Sequence, residues 1–257
     1  MSIIEILWPA FVLAIALVFV HAIFGIEIIK REVIFTDLAI GQVAAIGMAI
    51  SIAFMHGDYQ TQMTLLFALL GAGIITWANA KLANIEAFIG LLYAFGVSAI
   101  MLILAQSAEG TELFSKLSAA DILFVSSKDV LTSVGIYAFV AFVMFYIYPK
   151  LQGVVKELLF FIMLAVTVTS SVQEAGVLVV FALLIAPAYI AVVQSRFHKL
   201  VYAWIFGSIS IIIALFASYN LDLPTGYSII FILSVTSMML VIGYNFVWQR
   251  KTKNRLR

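Results

Sequence analysis

VTVTSSVQEAGVLVVFALLIAPAYIAVVQSRFHK, Val166 to Lys199, joins a polar run (Thr167, Thr169, Ser170, Ser171, Gln173, Glu174) to a long apolar segment interrupted by Pro187, and then to a basic exit. Polar and ionisable groups at membrane depth are costly, so they face the interior of a helix bundle or a water-filled route rather than lipid. The stretch therefore reads as membrane helix with a transport role.

The rest of the chain supports a membrane setting. Hydrophobic residues make up 65% of the 257 residues and charged residues only 11%, against about a quarter charged in an average soluble domain. Apolar windows of about 20 residues, enough to cross the ~30 Å hydrocarbon core as a helix, recur from end to end. The expected fold is all-α, one polytopic transmembrane bundle over residues 1–257 with no separate soluble domain. Spans fall at 6–29, 33–54, 62–80, 86–106, 133–149, 156–172, 175–194, 200–218 and 226–248. That is nine, or eight if the sixth or seventh is re-entrant. The first lacks a preceding basic segment and is long for a signal peptide, so it reads as a retained span.

Lys and Arg gather at alternate gaps: Lys30 with Arg31, Lys81, Lys150 with Lys156, Arg196 with Lys199, and the C-terminal run from Arg250. Such residues accumulate on the cytoplasmic side. The N-terminus is then external and the C-terminus cytoplasmic, with Lys116 and Lys128 the two exceptions. The basic residues form short turns rather than one patch, so no nucleic acid partner is implied. The absence of cysteine excludes disulfides and thiolate metal sites.

Candidate residues follow along the chain. His21, in the first span, either hydrogen-bonds a backbone carbonyl while packing or takes a metal or proton role. In the second span Asp37, Gly41, Ala45, Ala49 and Ala53 recur every four residues, a small-residue stripe for close helix packing with a carboxylate at its end. Gln42, one position off the stripe, offers an uncharged amide as hydrogen-bonding partner or weak oxygen ligand. The 107–132 connection, with Leu113, Leu117, Ile122, Leu123 and Val125, predicts a short amphipathic helix on the outer surface. Glu174 and Gln173 belong to an outer loop if two full spans meet there, or line the pathway if the chain breaks within the bilayer. Pro187 would kink or end its span.

Two of these segments resemble the ABC-3 family, the permease subunits of ABC transporters for zinc, manganese and iron. AGVLVVFALLIAPAYIA, Ala175 to Ala191, is similar to the family's G-V-L-L-V-x-A-L-L-I-x-P-A-x-x-A block, with Gly176, Pro187 and Ala188 among the matches. REVIFTDLAIGQVAAIG, Arg31 to Gly47, resembles the motif that follows the family's first helix. There the zinc and manganese members carry D-x-x-x-H with a Gly five after the His. Counting back from Gly47 puts Gln42 at the His position, while Asp37 is displaced by one and Leu38 stands in the place of the acid. The departure marks a divergent branch, and the metal or metal chelate stays unknown.

The resemblance implies a permease homodimer, a cytoplasmic ABC ATPase subunit, an extracytoplasmic substrate-binding protein, and a place in the bacterial cytoplasmic membrane. It implies import. The turn after Pro187, with Gln194, Arg196, His198 and Lys199, is the expected ATPase-docking loop. No G-x-x-x-x-G-K-[ST] loop occurs, so no cofactor is expected on this chain and ATP is hydrolysed by the partner. Asp37, Gln42, Gln173, Glu174 and His21 are the candidates for the translocation path. The rival reading is an ion-coupled secondary carrier with Asp37 and Glu174 as relays. An intramembrane zinc protease is disfavoured by the lack of H-E-x-x-H and the scatter of the three histidines.

Overall fold

The computed structural model describes residues 3–105, 110–120, 122–194 and 198–255. Apolar residues on all faces make helix the economical way for a segment to satisfy its own backbone in lipid. Nine of the described helices are long and apolar enough to span: α1 (Ile3–Lys30), α2 (Thr36–Phe54), α3 (Gln60–Lys81), α4 (Ile85–Leu104), α6 (Ser127–Phe142, carried on to Lys150), α7 (Gly153–Ala175), α8 (Val177–Gln194), α9 (Lys199–Leu221) and α10 (Thr225–Arg255). A short helix, α5 (Gly110–Ser118), and one 3-10 turn (Ile122–Phe124) lie between α4 and α6. The chain is an integral membrane protein.

The choice between eight and nine spans resolves to nine among the described residues, because α7 and α8 are each of full crossing length. Successive spans alternate in direction. Lys30, Arg31, Lys81, Lys150, Lys156 and Lys199 therefore share one end of the bundle, here called the basic end. A clasp ties that end together. Arg31 donates to Glu157 and, at 2.7 Å, to the Tyr148 hydroxyl, and its guanidinium lies 4.2 Å from the centre of the Phe160 ring. Half-burial alone would lower the Arg31 pKa, but the bonds to Glu157 and Tyr148 hold it above its ordinary value.

The centre of the bundle is α1, α2 and α8, while α4, α9 and α10 keep much of their surface outward. The small-residue stripe accounts for the burial of α2. Gly41, Ala45 and Ala49 are buried, and a Cβ on Gly47 would run into the Met63 carbonyl of α3. Pro187 is buried inside α8 and does not end it. Its missing N–H removes one hydrogen bond, and the helix still reaches Gln194.

Two boundaries differ from expectation. The fifth span starts at Ser127, not 133, because Ser126 caps it: the Ser126 hydroxyl oxygen accepts from the Asp129 N–H at 3.2 Å. The connection before it is not a helix lying free on the surface. Leu117 and Ile122 are buried, and the Ala120 N–H donates to the Ala175 carbonyl at 2.9 Å. Residues 118–120 thus roof the corner between α7 and α8. At that corner Gly176 has φ +84° and ψ 157°, a region open essentially to glycine alone. A Cβ there would sit 2.7 Å from the backbone of Ser118 and Ala119.

Candidate functional site

Spacing along α6 and α7 builds the site. Asp129, Ser133 and Ile136 lie three or four residues apart on one face of α6, and Val166, Thr169, Ser170, Gln173 and Glu174 do the same on α7. Where these faces meet, with Thr61 and Leu65 of α3 closing one side, they enclose a cleft of about 570 Å³.

Its polar centre is a connected set of bonds. Ser133 donates to Glu174 Oε1. A hydroxyl has a single proton, so the 2.9 Å contact between Ser133 and Ser170 is donated by Ser170. The Tyr137 hydroxyl stands 3.2 Å from Ser170 Oγ and 3.5 Å from Glu174 Oε2. Gln173 accepts from Thr61 at 3.4 Å, while its Nε2 has no partner. Asp129 lines the same cleft and is held by the Ser126 hydroxyl at 2.6 Å.

The polar run that marked this region in the sequence is split by the helix. Thr167 and Ser171 are buried and donate to carbonyls of their own helix at 2.8 Å. Ser170, Gln173 and Glu174 point to the cleft. Glu174 lies in the last turn of α7, neither in a loop nor at a break in mid-helix. The cleft offers two carboxylates, hydroxyls and an amide, which are oxygen ligands suited to a hard or borderline divalent cation. Among the described residues no three His, Cys, Asp or Glu are grouped closely enough to hold a metal tightly.

The other predicted residues lie elsewhere. His21 is fully buried and its Nδ1 is 2.8 Å from the Leu17 carbonyl of its own helix, while Nε2 has no partner. Asp37 is buried in the first turn of α2 with Oδ1 unpartnered, and the neighbouring Thr36 hydroxyl is unpartnered too. Gln42 is buried against α4, where Gly96 leaves room: a Cβ there would lie 2.6 Å from Gln42 Cβ. None of the three lines the cleft.

Of the expected docking turn, Arg196 lies outside the described residues. Gln194 acts as a strut, accepting from the Tyr202 hydroxyl at 2.9 Å and donating to the Leu240 carbonyl at 3.0 Å. His198 is exposed with φ +47°, and Lys199 is exposed at the start of α9. Sequence reasoning missed Asp129, Ser133 and Tyr137. Their spacing of four residues is a usable signal: Ser133 and Tyr137 fall within the expected span 133–149, and only Asp129 lies before its start.

Comparison with known proteins gives a consistent picture. Residues 151–244, from α7 into α10, match the ABC 3 transport family. The chain is 26% identical over 225 residues to a probable iron transport system membrane protein of Haemophilus influenzae, covering 81% of this chain and 78% of that protein. It is 24% identical over 264 residues to the manganese import system permease protein ScaB of Streptococcus parasanguinis, covering 96% and 92%. The fold matches a chain of the structure of PsaBC from Streptococcus pneumoniae in complex with Fab, with TM-score 0.74 and 21% identity over 92% of this chain and 91% of that one. Over residues 151–244 the chain is similar to the ABC 3 transport family.

Proposed function

We propose that this chain is the membrane-spanning permease of an ATP-driven importer of divalent iron or manganese. Its energy comes from a separate ATPase docked at the basic end on the turn containing Gln194, Arg196, His198 and Lys199. Two copies form the pathway, and an external binding protein delivers the metal to the end opposite the lysines, with the N-terminus outside and the C-terminus in the cytoplasm. The observation that carries the reading is similarity over nearly the whole chain to proteins described as manganese import and iron transport components. The oxygen-rich cleft is the chemical support. Gln173 and Glu174 provide the first stop for the cation, Asp37 and Gln42 on α2 a second, and His21 is held in reserve as a packing residue. Weak oxygen ligation suits passage, because conduction requires release as well as binding.

The test is uptake of radiolabelled manganese or ferrous iron into vesicles that contain the chain together with the ATPase that copurifies with it. Uptake should require ATP inside and fall on Glu174→Gln. Uptake by the chain alone, indifferent to ATP and driven by a proton or sodium gradient, would replace this reading with the ion-coupled carrier.

A further inference from the structure

The face between α1, α6 and α9 lies outside the cleft, although Tyr137, whose hydroxyl reaches toward Glu174, also lines its inner part and Lys199 belongs to the turn assigned to the ATPase. At the basic end it opens into a cavity of about 490 Å³ carrying Lys30, Lys156 and Lys199 with one acid, Glu27. Three lysines against one glutamate leave a formal charge of +2. Lys30 is paired to Glu27 at 2.7 Å, Lys156 stands 4.8 Å from the centre of the Tyr148 ring, and Lys199 is exposed. The walls below these heads are apolar, formed by Ile23, Ile26, Phe145 and Leu200.

Ile23 and Phe145 also line a second cavity, of about 250 Å³. It lies farther from the basic end, since its other walls come from earlier in α1 (Ala16, Val20) and earlier in α6 (Ala138, Ala141), with Trp204 of α9 alongside. Ala16, Ala138 and Ala141 leave this space between the helices, with Phe19, Tyr137 and Phe145 around it. Trp204 is fixed there, its indole N–H donating to the Phe19 carbonyl at 3.0 Å. Around Phe145, which lines both cavities, α6 relaxes into a π-helical turn over Val143–Ile147, with the Tyr148 N–H reaching back to the Val143 carbonyl. Pro149 follows, and its lack of an N–H prevents the ordinary bond to Phe145. Such turns often mark functional positions.

A positive head leading into an apolar channel, in a membrane protein and at the end where lysines gather, has the polarity of a lipid. We propose that this groove holds one anionic phospholipid, its phosphate among Lys30, Lys156 and Lys199 and an acyl chain along α1 and α6 past Trp204. Basic pockets between spanning helices recognise such head groups. A soluble anion would use the lysines and leave the channel empty. A zwitterionic lipid would fill the channel and gain less from the net charge. The proposal does not rest on the transport reading, since it needs only a membrane-spanning chain.

The test uses the full chain with Trp8→Phe, Trp77→Phe and Trp248→Phe, so that Trp204 alone fluoresces, in phosphatidylcholine vesicles without any ATPase. Phosphatidylglycerol brominated on its acyl chains should quench Trp204 at a several-fold lower mole fraction than phosphatidylcholine brominated in the same way. The preference should vanish in Lys156→Gln/Lys199→Gln and survive in Lys156→Arg/Lys199→Arg. Ala138 is exposed, so Ala138→Phe should fill the channel and reduce quenching by both lipids without disturbing the core. Equal quenching by the two lipids in the parent protein would overturn the proposal, as would a preference that persists in the glutamine pair.

Discussion

The α6–α7 cleft and the first turns of α2 each hold a carboxylate within the bundle, and they differ in what surrounds it. Glu174 is met by Ser133 and Tyr137 and looks into open space large enough for an ion with some of its water. Asp37 is enclosed, one of its oxygens without a partner, on a stripe whose small side chains exist to bring helices together. A buried polar group is costly unless hydrogen-bonded. For Glu174 the hydroxyls of Ser133 and Tyr137 meet that requirement and the cleft keeps room for a ligand, whereas Asp37 on α2 has one oxygen left unmet.

The largest effect should come from the corner that shapes the cleft. Gly176→Val forces a side chain into a backbone region that costs roughly 1–3 kcal/mol, and overpacking against Ser118 and Ala119 adds about 1–3 kcal/mol more. Recovery of folded protein in mild detergent should drop steeply, with a lower unfolding temperature. A variant as stable as the parent would mean that residues 118–120 do not press on the corner as described.

Next is Glu174→Gln, which keeps the shape and removes the charge. Losing a charged hydrogen-bonding partner worth about 1.5–3 kcal/mol should lower metal uptake roughly tenfold or more, while the unfolding temperature stays the same. Normal uptake would move the path away from the cleft.

Asp37→Asn sharpens the comparison from the other side. Removing an incompletely partnered buried carboxylate should leave stability unchanged or raise it by about 1 kcal/mol, and uptake should fall only about threefold, which is under 1 kcal/mol. Thermal unfolding and transport measured on one preparation check both halves. A loss as large as that of Glu174→Gln would make α2 the main station.

The smallest change is expected for Ser133→Ala. A hydroxyl donor to a carboxylate contributes about 1.5–3 kcal/mol, but Tyr137 remains to serve Glu174, so uptake should fall about twofold. An unchanged rate in Ser133→Ala but not in Ser133→Ala/Tyr137→Phe would show the two hydroxyls to be interchangeable.

The choice of nine spans over eight was not determined by the sequence alone, whereas the all-helical membrane-spanning character, the gathering of lysines at alternate gaps, and the polar character of residues 167–174 were. These depend on hydropathy over about 20 residues and on charge at span ends, which are local properties. Only the tertiary structure decided which polar residues of that run face each other. Thr61 and Gln173 are 112 residues apart, and Arg31 and Glu157 are 126 apart, so neither pairing leaves a local trace. The same holds for the close approach of Ser118 and Ala119 to Gly176, which joins residues 57 or more positions apart. Every span here is apolar enough to enter the bilayer in many orientations. What selects one rotation of each helix is the packing of small residues and the pairing of polar groups across neighbours, and both exist only once the helices have met.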